Sequence, residues 1–304
     1  MKTRPLNESR PTRKAYVGRF APSPTGALHF GSLVAAIGSW LQARSQGGRW
    51  LVRIEDIDPP RAVPGAAEQQ IATLARFGLQ SDGAVQYQSR FDNRHQSALS
   101  VLLQSGLAYP CGCTRRDLPQ SGIYPGTCSN GLPTGREARS IRLRTDKAEE
   151  LVFHDRVQGE IREHPGACTG DFVIRRADGL IAYQLAVVVD DHASGITEVV
   201  RGADLIESTA RQIHVYNCLG WESPRWMHLP LIVDKNGRKL SKSESDDPVD
   251  NLPAPDALRL ALRALGHEPP ATAVSVPAML EWAERHWEID RIPVGPVAVG
   301  VHPQ

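Results

Sequence analysis

The chain has 304 residues, enough for one large domain or two small ones with a sizeable core. Its 35 basic and 34 acidic residues leave a formal net charge of +1, so bulk charge gives no argument for nucleic acid, and such a partner must be argued from local patches. No apolar run is long enough to span a bilayer, and five cysteines, three of them clustered, fit a reduced compartment and a metal site better than a disulfide framework.

Residues 1–14 are polar and basic (Lys2, Arg4, Arg10, Arg13, Lys14) and lack the apolar segment of a secretory signal. We expect a disordered tail there. The apolar run Ala15-Tyr16-Val17-Gly18 predicts a strand, and Leu33 to Ile37 with Trp40 and Leu41 forms an apolar stripe at helical spacing. Between them lies Arg19-Phe20-Ala21-Pro22-Ser23-Pro24-Thr25-Gly26-Ala27-Leu28-His29-Phe30-Gly31-Ser32. In an open α/β sheet such a strand–turn–helix layout puts the turn where ligands bind. Gly26 and Gly31 let the backbone approach a ligand, and the helix start offers N–H groups to a phosphate, with His29 as a further donor. A plain loop capped by Ser32 is the bland reading.

Arg49 to Ile54 reads as a second strand ending in Glu55-Asp56-Ile57-Asp58-Pro59. Carboxylates there can hold an amino group or Mg²⁺, or form a solvated turn. Helices are predicted over Pro64 to Phe77 and Ser89 to Gln104, the second with a Ser89/Asp92 capping box and a stripe of Phe91, Ala98, Leu99, Leu102 and Leu103. Cys111-Gly112-Cys113 and then Cys128, in a Gly/Pro-rich loop, can bring three thiolates to one tetrahedral ion, with no histidine between Cys113 and Cys128 as fourth ligand. Tyr124 stands in that loop and is an unusual ligand on general grounds.

The stretch Arg139 to Arg144 alternates with Ile141 and Leu143, predicting a strand whose cationic face either meets phosphates, with Arg115 and Arg116, or is simply solvated. Asp178-Gly179 marks a hairpin between 171–177 and 180–185. Leu185 to Val189 is a buried run. Glu198 to Arg201 is a short strand followed by a helix cap at Asp204, and Arg201 at its carboxyl end can hold a carboxylate in bidentate fashion or form a structural ion pair. Met227 to Val233 is the last apolar strand, leading to Lys239-Leu240-Ser241-Lys242-Ser243, a loop suited to closing over a triphosphate. Two short helices, near 255–265 and 277–287, follow.

Three of these stretches together resemble the class I aminoacyl-tRNA synthetases. His29-Phe30-Gly31-Ser32 is similar to their HIGH signature, and Lys239 to Ser243 resembles their KMSKS loop. Arg19 to Gly26 and Arg53-Ile54-Glu55-Asp56-Ile57-Asp58 look like the glutamate-specific branch. The match runs from about Val17 to Ser243 and its helical tail to about Pro293. Full-length members carry a large anticodon-binding region after the KMSKS loop, which residues 244–304 are too few to build. The resemblance therefore narrows to the shortened glutamyl-queuosine members, which show Cys-x-Cys, Tyr and Cys at positions matching Cys111, Cys113, Tyr124 and Cys128.

That resemblance implies an α/β fold: a Rossmann-like doubly wound parallel sheet in two halves, 15–108 and 185–243. A zinc-binding α+β lobe is inserted over 109–184, and 244–304 form a short helical tail. It implies ATP-dependent, tRNA-independent activation of L-glutamate and transfer of the glutamyl group to the queuosine base at the wobble position of tRNA(Asp). Glutamate would be bound by Arg19, Phe20, Ala21, Pro22, Ser23, Glu55, Tyr183 and Arg201. ATP would be bound by His29, Gly31, Ser32, Lys239, Leu240, Ser241, Lys242 and Ser243, with His29, Ser32, Lys239 and Lys242 serving catalysis. One structural Zn²⁺ on Cys111, Cys113, Tyr124 and Cys128, Mg²⁺ with ATP, a monomer and a cytoplasmic location complete the expectation. The alternatives are a truncated enzyme charging a tRNA 3′ end, or an inactive tRNA-binding paralogue, against which His29 and Lys242 speak. Ser243 stands where several relatives have glutamine.

Overall fold

The computed structural model describes residues 15–145, 149–234, 236–238 and 248–299. The basic tail and the 239–243 loop lie outside the described residues. The first half contains β1 (Val17–Phe20), α1 (Phe30–Ser45), β2 (Arg49–Ile54), α2 (Ala66–Arg76), β3 (Gln86–Tyr87) and α3 (Asp92–Gln104). A middle segment holds β4 (Ala108–Cys111), β5 (Ser140–Leu143), β6 (Leu151–Asp155), β7 (Gly159–Glu163), α4 (Pro165–Cys168) and β8 (Phe172–Arg175). It is followed by α5 (Tyr183–Ala193), β9 (Glu198–Gly202), α6 (Ile206–Cys218), β10 (Arg225–Leu229) and β11 (Ile232–Val233). Last come α7 (Ala254–Ala264), α8 (Val276–His286) and β12 (Val297–Ala298).

Strands β1, β2 and β3 form one parallel sheet. A second, ordered β7-β6-β10-β9, is parallel except for the edge strand β7. The two meet where β1 lies beside β9: Thr197 N–H donates to the Val17 carbonyl at 2.9 Å and Val17 N–H to Thr197 Oγ1 at 3.0 Å. The chain leaves β1 and β9 toward opposite sides of this seam, the arrangement that opens a crevice beyond the strands' carboxyl ends.

Side chains alternate across the sheet, as strand geometry requires. Trp50, Val52 and Ile54 of β2 and Met227 and Leu229 of β10 pack under α1, α7 and α8. Leu51 and Trp226, one residue out of phase, pack under α3, α5 and α6. Burial on both faces explains why these strands read as continuous apolar runs. Helix α1 lies tight on the sheet at Gly38, where a Cβ would come within 2.5 Å of Leu229 Cδ1. The two C-terminal helices share its core, so the 244–304 tail is part of the main body wherever it is described.

Several local expectations change. Within the 109–184 interval, β6 and β7 join β10 in the second sheet, and only β4, β5 and β8 form the separate antiparallel sheet. Ser89 does not cap α3; its N–H and hydroxyl both donate to Asp56 at 2.7 Å. His95 takes the place in the buried stripe predicted for Leu103, which is exposed. Pro64 precedes α2, whose N-cap is Gly65 at φ 78°. The segment 180–185 makes only an isolated bridge, Arg175 to Ile181, before α5 begins. Leu205 rather than Asp204 occupies the N-cap position of α6. The final apolar run is cut at Pro230, which cannot donate to a ladder, into β10 and β11.

The cationic face predicted for Arg139 to Arg144 does not form. All of β5 is buried, and Arg142 turns inward to donate to Cys111 Sγ at 3.3 Å and to the Asp171 carbonyl at 2.6 Å. Arg144 is taken up by the Gly106 and Ser129 carbonyls.

Candidate active site

The turn after β1 is held open by its neighbours. Glu55 N–H donates to the Pro22 carbonyl, and Val63 N–H to that of Pro24. The wholly buried Gln70 of α2 donates to the Ser23 and Gly26 carbonyls at 3.0 and 2.7 Å. Gly26 has φ 138°, which only glycine adopts freely. His29 caps α1: its Nδ1 accepts the Ser32 N–H at 3.3 Å. The N-cap is therefore His29, not the Ser32 of the bland reading. Because a backbone N–H can only donate, the proton of this neutral ring sits on Nε2.

Beyond the carboxyl ends of β1 and β9 lies a cavity of ≈ 330 Å³. It is lined by Arg19, Phe20, Ala21, Pro22, Ser23, His29, Gly31, Ser32, Glu55, Tyr183 and Arg201. Every glutamate- and ATP-site residue expected from the sequence within the described residues therefore lines it. Lys239, Leu240, Ser241, Lys242 and Ser243 lie outside them.

The cavity's charges are arranged unequally. Asp191 of α5 is buried and accepts from Arg19 Nε at 3.2 Å and from Arg53 Nη2 at 2.7 Å. Although burial opposes it, these two guanidiniums hold the Asp191 carboxyl below the usual carboxylate range. Glu55 has only Arg53 Nη2 at 3.5 Å, and its buried Oε1 accepts no hydrogen bond among the described residues. Burial raises its pKa to about 7, against the pull of Arg53 and Arg19.

Arg201 is 5% exposed, yet no carboxylate among the described residues pairs with it. Its donors go to neutral acceptors: Gln212 Oε1 at 2.8 Å, Thr209 Oγ1 at 2.8 Å, the Leu205 carbonyl at 3.2 Å and His228 Nε2 at 3.1 Å. Tyr183 O–H receives a longer contact of 3.5 Å. Burial pulls its pKa below the usual guanidinium value. The cavity thus offers an uncompensated guanidinium to a carboxylate and the Glu55 carboxylate to an ammonium group.

Arg53, Asp191, Gln70, Asp155 and His228 were not singled out from the sequence as site residues. The Asp190-Asp191 pair closing the apolar run of α5 was the available signal, since acids at buried positions need partners.

At the end of β4 the Sγ atoms of Cys111, Cys113 and Cys128 lie within 4.8 Å of one another, all buried. The Tyr124 hydroxyl is 3.3 Å from Cys111 Sγ and 3.7 Å from Cys113 Sγ. Arg136 Nη1 donates to Cys113 Sγ at 3.4 Å. Burial opposes ionisation of Cys111, but hydrogen bonds from Tyr124, Cys113 N–H and Arg142 bring its pKa down to about 7. Three converging thiols with guanidiniums behind them suit a soft divalent cation. Cys168 is exposed and Cys218 half-buried, both away from this cluster. No helix among the described residues is long and apolar enough to cross a membrane.

Similarity to known proteins follows the same lines. The chain is 51% identical over 289 residues to a glutamyl-Q tRNA(Asp) synthetase of Chromobacterium violaceum, covering 93% of this chain and 97% of that protein. It is 52% identical over 282 residues to one of Pseudomonas aeruginosa (92% and 96%) and 54% identical over 280 residues to one of Xanthomonas campestris pv. campestris (91% and 93%). The structure is similar to a glutamate-tRNA synthetase of Elizabethkingia anophelis, with TM-score 0.78 at 23% identity over 94% of this chain and 68% of that one, which shows a common fold. Residues 16–121 and 129–266 match the family described as tRNA synthetases class I (E and Q), catalytic domain. With its HIGH-like turn at the seam of a split parallel sheet, the chain belongs to the class I tRNA synthetases of the glutamate and glutamine (E and Q) family.

Proposed function

We propose that this protein activates L-glutamate with ATP, without needing tRNA, and transfers the glutamyl group to the queuosine base at the wobble position of tRNA(Asp). The observation that carries the amino-acid assignment is the buried, uncompensated Arg201 sharing one cavity with Glu55 and Arg19. Glutamate has two carboxylates and one ammonium group. Arg201 takes one carboxylate, Arg19 with Ser23 the other end of the substrate, and Glu55 the ammonium, with Tyr183 closing the pocket. The acceptor assignment is supported by relatives named for it, which the chain matches over nearly their whole length.

The glutamate carboxylate is ionised at neutral pH, so its attack on the α-phosphorus of ATP requires no general base. The reaction needs alignment and neutralisation of the pentavalent phosphorus and leaving pyrophosphate. His29 Nε2–H and the first turn of α1 serve the phosphates from one side, and Lys239 and Lys242 from the other. Mg²⁺ bound with the nucleotide supplies further neutralisation of the pyrophosphate oxygens.

Cys111, Cys113, Cys128 and Tyr124 would hold one Zn²⁺, because three thiols and a phenol already converge while Arg136 and Arg142 balance their charge. When bound, the ion ties together a lobe whose own apolar cluster is small.

The test uses two assays. Glutamate-dependent ATP–pyrophosphate exchange without tRNA should be observed, and its absence would mark an inactive paralogue. Labelled glutamate should then attach only to tRNA(Asp) containing queuosine and survive removal of the 3′ end. Label lost with the 3′ end would identify a truncated charging enzyme instead.

A further inference from the structure

Among the described residues Arg201 is held not by direct contact with an acid but by a relay that begins in β6. Asp155 Oδ2 and His228 Nδ1 are 2.6 Å apart, both wholly buried, and His228 Nε2 lies 3.1 Å from Arg201 Nε. An arginine N–H can only donate, so His228 Nε2 is unprotonated and the ring proton sits on Nδ1, facing Asp155. Asp155 therefore selects the tautomer that lets His228 accept from Arg201. Thr209 Oγ1, at 3.1 Å from the same Nε2, meets Arg201 Nη2 as well.

We propose that Asp155 and His228 are positioning residues for amino-acid specificity, locking the ring so that its Nε2 lone pair aims the Arg201 guanidinium into the cavity. This rests on the assignment of Arg201 to a substrate carboxylate. The groups facing His228 are consistent with a neutral ring: Asp155 from β6, Arg201 from β9 and Arg19 from β1, while α6 offers the neutral Thr209. Burial holds the imidazole below its usual pKa, and Arg201 and Arg19 add to that, against Asp155.

Asp155 lends itself to a clean substitution because its two oxygens divide their work. Oδ1 accepts the backbone N–H groups of Val157, Gln158 and His228, at 3.0, 2.8 and 3.2 Å. Among the described residues, Oδ2 hydrogen-bonds only to the imidazole. Asp155→Asn can keep the Oδ1 set and replace Oδ2 with an NH₂ group, which forces the ring proton to Nε2 and sets two donors against each other at Arg201. At His228, a glutamine places its amide oxygen near the Nε2 position and keeps the acceptor, whereas an asparagine reaches only the Nδ1 position.

The experiment is ATP–pyrophosphate exchange by the full chain without tRNA, with KM measured separately for glutamate and ATP. Asp155→Asn and His228→Asn should raise the glutamate KM roughly tenfold or more, the scale for losing a hydrogen bond to a charged group, with the ATP KM little changed. His228→Gln should stay nearer wild type than His228→Asn. Equal glutamate KM values for the two His228 variants, or glutamate and ATP KM rising together, would overturn the relay. Should Asp155→Asn fail to fold, the His228 pair alone decides. Failure of the functional reading is distinct: the wild-type protein would then show no glutamate-dependent exchange at all.

Discussion

The Nδ1 atom of His29 accepts the Ser32 backbone N–H at 3.3 Å, so the helix that follows the turn determines which nitrogen of its own capping histidine carries the proton. Capping and phosphate contact are thereby assigned to different ring atoms. His29→Asn should separate them, because asparagine caps well but has nothing at the Nε2 position. The thermal midpoint should hold while the exchange rate drops roughly 10²–10³-fold, the scale for one preorganised donor. A midpoint falling in step with the rate would show that only capping had been lost.

Arg201→Ala should raise the glutamate KM strongly. Truncating one partner of a desolvated charge pair costs about 2–5 kcal/mol. Steady-state exchange at varied glutamate measures it, and an unchanged KM would remove Arg201 from the pocket.

Glu55 makes the free protein sensitive to pH. Its folded pKa of about 7 lies above the ordinary carboxylate value, so the stability it contributes is present at low pH and is lost as pH rises through 7. Glutamate binding has the opposite demand, since the ammonium needs the ionised form. The glutamate KM should therefore rise as pH falls below 7. Glu55→Gln should melt higher than wild type at pH 8, by a margin that shrinks at pH 5, while its glutamate KM rises by at least tenfold on the scale for a lost buried charge pair. Identical melting differences at both pH values would place the titration elsewhere.

Protein purified without chelator should contain about one zinc per chain, as a closed four-ligand site requires. Cys128→Ser should lose most of it and lower the thermal midpoint. Tyr124→Phe retaining full zinc would remove the tyrosine ligand alone, whereas metal-free wild-type protein would remove the site.

Lys242→Ala should cut the activation rate roughly 10²–10³-fold. ATP affinity should change far less, because an interaction realised in the transition state raises kcat rather than binding. Pre-steady-state adenylate formation against ATP concentration separates the two. Loss of ATP binding in proportion to the rate would make the loop a ground-state clamp.

The motif-bearing turns were legible in the sequence because local chemistry dictates them. Pro22, Pro24 and Gly26 set the backbone after β1, the apolar stripe of α1 follows at helical spacing, and Cys111 and Cys113, with one residue between them, mark the end of β4. Such features need no knowledge of distant partners. Other local signals misled where a distant group outbid the neighbour: Asp56 took Ser89 from its capping box, and Asp171 and Cys111 drew Arg142 out of a solvated face.

What the sequence determined by itself was which residues could carry the chemistry: His29, Glu55, Arg201 and the cysteine cluster. Only the tertiary structure decided how they are charged and aimed. Arg19 is paired through Asp191, 172 positions away, and Arg201, without a carboxylate partner among the described residues, is held through His228 to Asp155. Those relationships cross between strands and helices that meet only in the folded sheet. Burial there removes water as an alternative partner, so each donor's direction depends on whichever distant acceptor the packing supplies.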